Sequence, residues 1–152
     1  MSHRFIELDA KTPAADMDAA LALVEPLHRQ LRPKIPAPYA DYLKQMFAED
    51  VRMSILLEGD VPKAVGVWRV RLTTYQGRRF YVDDLVTDEN SRGSGHGGIM
   101  LSHLEAHAKA LDSDYFTLDS GTHRTLAHRF YFRHGMTISS FSFQKALTSR
   151  FG

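Results

Sequence analysis

The sequence has no cysteine. That excludes disulfides, thiolate metal centres and any group transfer through a cysteinyl intermediate, and it fits a reducing compartment. Long apolar runs are missing too. No stretch approaches the roughly 18 apolar residues of a membrane span, and Met1-Ser2-His3-Arg4-Phe5 lacks the apolar run of a signal peptide. Neither charge dominates: 19 Lys and Arg face 18 Asp and Glu, a net charge of +1. Such a balance gives no electrostatic footprint for nucleic acid or an anionic membrane. Gly-Lys-Ser/Thr is absent, which excludes a Walker A phosphate loop. There is no repeat, linker or low-complexity tract. What remains is a chain of 152 residues, 43% hydrophobic, long enough to bury a full core. The expectation is one cytoplasmic domain over residues 1–152, with no nucleic-acid or membrane partner.

Patterning supplies the elements. Phe5 to Leu8 predicts a short strand. Thr12-Pro13 predicts a helix start, with threonine as cap. Met17, Ala20, Leu21, Val24, Leu27 and Leu31 then recur at helical spacing. After Pro33, Pro36 and Pro38, a second helix carries Tyr39, Tyr42, Leu43, Met46 and Phe47. Three strands follow, over 51–57, 64–74 and 80–87, joined by short turns as in an antiparallel meander. A helix with Leu101, Leu104, Ala108 and Leu111 leads to a strand over 115–118, and this crossover implies a parallel neighbour. A helix over 125–134 stops at Gly135. The alternation of Ile138, Phe141 and Phe143 predicts a last strand over 137–145. The order β-α-α-β-β-β-α-β-α-β is an α/β domain with a mixed, mainly antiparallel sheet.

The most informative stretch is Ser91-Arg92-Gly93-Ser94-Gly95-His96-Gly97-Gly98-Ile99-Met100-Leu101. Four glycines in six residues, between a strand and a helix, carry a high conformational entropy cost that suits close backbone approach to a ligand. Exposed amides at a helix N-terminus favour an anion, commonly phosphate. Gly93, Gly95 and Gly98 also match the G-x-G-x-x-G dinucleotide fingerprint, with Asp119 at the end of the next strand. Against that reading, polar residues from Thr87 to Arg92 separate the strand from the first glycine. In addition, the 33 residues after Asp119 are too few for a second βαβ half.

Arg92-x-x-Gly95-x-Gly97 resembles the R/Q-x-x-G-x-G/A motif of the GCN5-related N-acetyltransferase (GNAT) superfamily. Ala127-His128-Arg129-Phe130-Tyr131-Phe132-Arg133-His134-Gly135-Met136 is similar to its second signature, A-x-x-(L/F)-Y-x-x-x-G-F. The resemblance implies a GNAT-like fold, an acyl-CoA-dependent N-acyltransferase and acetyl-CoA as cosubstrate without a metal. It also implies a pyrophosphate site in the amides of Arg92, Gly93, Ser94, Gly95, His96, Gly97 and Gly98, and a pantetheine contact along Leu85, Val86 and Thr87. Tyr131 matches the tyrosine that protonates the leaving thiolate. Arg124 stands where the family often has an asparagine on the pantetheine arm, Met136 where it has phenylalanine, and His96 where isoleucine is common. Family members are frequently dimers, which makes a homodimer an expectation.

Acetyl transfer to an amine needs the amine neutral, the thioester close and the thiolate protonated. Tyr81-Val82-Asp83-Asp84-Leu85-Val86 looks like the Y-x-E-D segment of polyamine-type members. There the first acid, here Asp83, accepts the amine proton through water and attracts a cation. Strand alternation places Asp83 and Asp84 on opposite faces, which makes Asp84 structural; a solvated strand end is the plainer reading of both. The acceptor is then a primary amine of a small molecule, held near Asp83 and Asp84. Two other readings stay open at this point, a dinucleotide-binding redox domain and a non-catalytic CoA-binding regulatory module. His103 and His107 have metal-ligand spacing on one helix, but no third ligand is evident in sequence. An exposed helix face is the expectation there, and no metal.

Overall fold

The computed structural model describes residues 2–152. The chain divides into two compact units, residues 1–117 and 118–152. The elements up to the boundary are β1 (His3–Leu8), α1 (Ala14–Leu31), α2 (Tyr39–Ala48), β2 (Arg52–Glu58), β3 (Val61–Thr73) and β4 (Gly77–Thr87). A 3-10 turn (Glu89–Ser91), α3 (His96–Ala110) and β5 (Tyr115–Leu118) follow, and α4 (Thr125–Arg133) lies in the second unit. The five strands form one sheet in the order β1-β2-β3-β4-β5, and β1 to β4 pair antiparallel. Asp114 bonds at Arg78 while Thr117 bonds at Phe80, so β5 runs parallel to β4 and the sheet is mixed. Among the described residues no helix is long and apolar enough to cross a membrane.

Strand alternation gives the sheet of the first unit two apolar faces. Leu8, Met53, Ile55, Leu57, Val65, Val67 and Val86 point to α1 and α2. They form one buried cluster with Met17, Leu21, Val24, Leu27, Leu43 and Phe47. Each such side chain contributes about 1.5–3 kcal/mol on burial. On the other face Trp68 stacks on Phe80 with centroids 4.7 Å apart, and Phe80 on Phe116 at 5.4 Å. Met100, Leu101 and Leu104 of α3 are fully buried.

Three expectations need correction. Thr12 does not cap α1: its hydroxyl accepts from the Asp9 N–H at 3.0 Å, and Pro13 precedes the helix without a side-chain cap. The last strand does not form. Residues 137–145 have no regular structure, and Phe141 and Phe143 are 84% and 94% exposed. Alternation marks a segment fit to pair, but a strand exists only against a partner's backbone, and among the described residues none pairs with 137–145. Third, β4 contains a bulge. Val67 lies opposite Asp84 and Trp68 opposite Val82, so Asp83 is an extra residue. A bulge breaks the alternation that was expected to part Asp83 from Asp84.

Candidate active site

β4 leads through the 3-10 turn at Glu89–Ser91 into the glycine turn. Thr117 of β5 sits at Phe80, and β5 ends one residue later. Leu85, Val86 and Thr87 therefore extend past β5. Their ladder on the β3 side is made, to Gly66, Val65 and Ala64, while β5 does not reach their other edge. The turn beyond is held by Lys63 of β3 and Gln30 of α1. The Asp88 N–H donates to the Lys63 carbonyl at 2.9 Å, and Lys63 Nζ donates to Ser91 Oγ at 2.9 Å. Gln30 of α1 donates to Asp88 Oδ1 at 3.2 Å and accepts from the Glu89 N–H at 2.9 Å. Hydrogen bonds from Gln30 and from the Asn90 N–H hold the Asp88 carboxyl below its ordinary pKa.

Gly93 and Gly95 both have φ near +84°, and a Cβ built on either meets nothing within 4 Å. Glycine is required here by backbone conformation, since an L-residue in that region costs about 1–2 kcal/mol. The space a side chain would fill is open. Gly95 is the N-cap of α3 and contributes no side-chain cap. The first amides of α3, His96 to Gly98, have no intrahelical acceptor and carry the positive end of the helix dipole. Arg92 to Gly95 are exposed. These features fit a pyrophosphate bound by backbone amides. The His96 side chain turns inward: it is 4% exposed and its Nε2 lies 2.9 Å from Glu58 Oε2, so only its main chain is available to an anion.

Because of the bulge, both carboxylates engage groups of the α1–α2 face. Arg69 alternates with Trp68 onto that face and grips Asp83 with two hydrogen bonds, Nε to Oδ1 at 3.0 Å and Nη2 to Oδ2. That pairing raises the Arg69 pKa. Asp84 accepts from Arg32 Nε at 2.7 Å and bonds His28 Nε2 at 2.8 Å. The other ring nitrogen, Nδ1, lies 2.8 Å from the Tyr39 hydroxyl. Burial alone would raise the Asp84 pKa, but the His28 hydrogen bond and the Arg32 charge outweigh it and hold the carboxyl below its ordinary value. Burial, with the charge of Glu25, pushes the Tyr39 hydroxyl well above its usual range. Sequence reasoning missed His28, Arg32, Tyr39 and Arg69.

The second unit holds Tyr131 and Arg124 together. Burial raises the Tyr131 pKa, while the charge of Arg124 and its side-chain hydrogen bond to the phenol lower it. α4 ends at Gly135, φ +80°.

The comparisons with known proteins agree with this geometry. A family model described as the acetyltransferase (GNAT) family matches residues 20–136. The chain belongs to this family. An uncharacterized N-acetyltransferase, YhdJ of Bacillus subtilis (strain 168), is 30% identical over 109 residues, 68% of this chain and 77% of that one. The GNAT fold recurs in an aminoglycoside acetyltransferase, meta-AAC0020, from an uncultured soil metagenomic sample, solved with sisomicin. Its TM-score is 0.78 at 13% identity, covering 96% of this chain and 97% of that one. Aminoglycoside N-acetyltransferase AAC(6')-Iy, solved with CoA, has a TM-score of 0.76 at 11% identity and covers 97% of this chain and 96% of that one. As a GNAT member the protein is an acyl-CoA-dependent acetyltransferase. The dinucleotide reading of Gly93, Gly95 and Gly98 falls, because the strands leading to them are an antiparallel meander rather than a βαβ unit.

Proposed function

We propose that this acetyltransferase moves the acetyl group of acetyl-CoA to a primary amine of a small molecule, by direct attack in a ternary complex. The observation that carries the reading is the β4 edge at Leu85–Thr87, left uncovered by β5 and continuing into a positive-φ turn at the N-terminus of α3. The edge offers main-chain partners to the amides of a pantetheine arm. The turn offers amides to a pyrophosphate, with the Arg92 charge beside them.

The chemistry asked of the side chains is modest. The amine lone pair attacks the thioester carbonyl, a C–N bond forms and the C–S bond breaks. A carboxylate has about four acceptor sites, and Arg69 occupies two on Asp83, which leaves two for a water that takes the ammonium proton. Asp84 is a positioning residue: it fixes His28 and Arg32, and through His28 it fixes Tyr39 between α1 and α2. Tyr131, with its pKa raised, stays protonated at neutral pH and donates a hydrogen bond to the thiolate as charge develops. An ordinary thiol has a pKa near 8.5, so the thiolate, stabilised first by Tyr131, then takes a proton from solvent, which balances the proton released by the ammonium. Arg124 hydrogen-bonds that phenol and is a further candidate contact for the pantetheine arm. The carboxylates near the acceptor are already matched by Arg69 and Arg32, so any cation preference is weak.

A small-molecule acceptor is further supported by analogy with the aminoglycoside acetyltransferases of the same fold. The homodimer expected of the family has one support in this chain, the exposed Ile138, Phe141, Phe143 and Leu147, and sedimentation velocity tests it. The activity test is a panel of aminoglycosides, polyamines, amino sugars, aminophosphonates and peptides, with free thiol as readout. At least one small primary amine releases thiol in proportion to its acetylation. Release with peptides alone would overturn the small-molecule assignment, and no release with any acceptor would overturn the reading as a whole.

A further inference from the structure

The face of the sheet turned to α3 carries a cluster that acetyl transfer does not use. His103 and His107, one helical turn apart on α3, meet Glu7 of the edge strand β1. His103 Nε2 lies 3.0 Å from Glu7 Oε2 and His107 Nε2 lies 2.8 Å from Glu7 Oε1. All the ligand atoms fall within 4.8 Å of one another. The expected exposed helix face is therefore incorrect: both rings are half-buried, and the third ligand missing from the sequence comes from 96 residues away.

We infer that Glu7, His103 and His107 form a binding site for a divalent transition metal of the zinc class. Four observations support it. The donor set, two imidazole nitrogens and a carboxylate, is one that such ions take with a position left open for water. The spacing fits, because two ligands 2.0–2.1 Å from a tetrahedral zinc lie about 3.3 Å apart, and small adjustments of these side chains reach that. His107 Nε2 is buried, and although it is 2.8 Å from a carboxylate oxygen it makes no hydrogen bond. The pair is aligned poorly for sharing a proton. Finally, the ligands are held from behind. Ser54 Oγ donates to Glu7 Oε1 at 2.6 Å, and Trp68 Nε1 donates to Ser54 Oγ at 3.1 Å. Phe5 stacks on the His103 ring at 3.6 Å, with only 4° between the planes. Supporting contacts of this kind orient ligands and tune affinity.

A bound ion ties the edge strand β1 to α3 without touching the glycine turn at the other end of the helix. A second cluster, His3, Glu58 and His96, serves as the control. Its two rings share a single carboxylate oxygen, and His96 lies eleven residues, about 16 Å, along α3 from His107.

The test uses tag-free, chelator-treated full-length protein. Cobalt(II) is added while visible absorption and tryptophan fluorescence are followed, and zinc is then titrated by calorimetry. Trp68 is the sole tryptophan, and its ring lies 5.1 Å from that of His107. The expected result is one ion per chain, visible cobalt bands, quenching of Trp68, and reversal of both signals by zinc. His103→Gln or His107→Gln weakens zinc binding by more than about 100-fold and Ser54→Ala by about 10–100-fold, while His3→Gln leaves it unchanged. The wild-type spectra stand even if a variant fails to fold. Absence of saturable binding, binding without quenching, or binding that survives His103→Gln would overturn the inference.

Discussion

Replacing Asp84 by alanine removes the acceptor that joins β4 to α1, and the cost can be worked from its partners. The His28 side chain is 2% exposed and would lose its Nε2 partner. An unmet buried donor costs about 1–3 kcal/mol. The Arg32 side chain is 53% exposed and can turn to water, so its lost ion pair adds about 0–1 kcal/mol. Asp84→Ala is therefore expected to destabilise by about 1–4 kcal/mol at pH 7. The folded-state pKa of Asp84 lies below its ordinary value, so its stabilisation is complete above the unfolded pKa of about 3.9. It is lost as pH falls through the folded pKa. The gap between wild type and variant should hold from pH 7 to about pH 4 and close only below that. Urea unfolding followed by Trp68 fluorescence, at pH steps from 7 to 3, measures it. A gap under about 0.5 kcal/mol, or one that closes between pH 7 and 5, would refute the reasoning.

Three further outcomes follow from the site. Gly95→Ala should lower stability by about 1–2 kcal/mol through its positive φ, with no clash because the space is open; calorimetry with CoA should show weaker binding than in wild type. Tyr131→Phe should lower kcat about 10²–10⁴-fold with the acetyl-CoA Kd unchanged, and unchanged turnover would remove Tyr131 from the mechanism. Asp83→Asn should lower kcat about 10²-fold near neutral pH. That deficit should narrow as pH approaches the pKa of the amine, where less proton removal is needed; a deficit constant with pH would mean that Asp83 only anchors Arg69.

Much of the fold could be read from local pattern. The stripe from Met17 to Leu31, the meander and the strand over 115–118 all rest on periodicity, which a single sequence carries. His28 was visible in principle, since it falls on that same stripe, among Leu21, Val24 and Leu31. His96 likewise stands four residues before Met100 in the row continued by Leu104 and Ala108. A polar residue on an apolar stripe signals a buried partner, here Asp84 and Glu58. The bulge at Asp83 was invisible, because one extra residue alters the faces without altering the alternation of residue types. Glu7 was equally out of reach, since the i, i+4 histidines are local whereas β1 meets α3 only in the folded sheet. The phenylalanines near the C-terminus have a strand's alternation, yet residues 137–145 form no strand.

The most direct test of the account follows the acetyl group itself. Wild-type protein is mixed with acetyl-CoA carrying an isotopic label in the acetyl group, together with an accepted amine, and the label is traced by mass spectrometry. The account predicts one labelled N-acetyl amine per free thiol, with no label on the protein at any time during turnover. Label on the protein before it reaches the amine, or thiol release without N-acetylation, would contradict direct transfer.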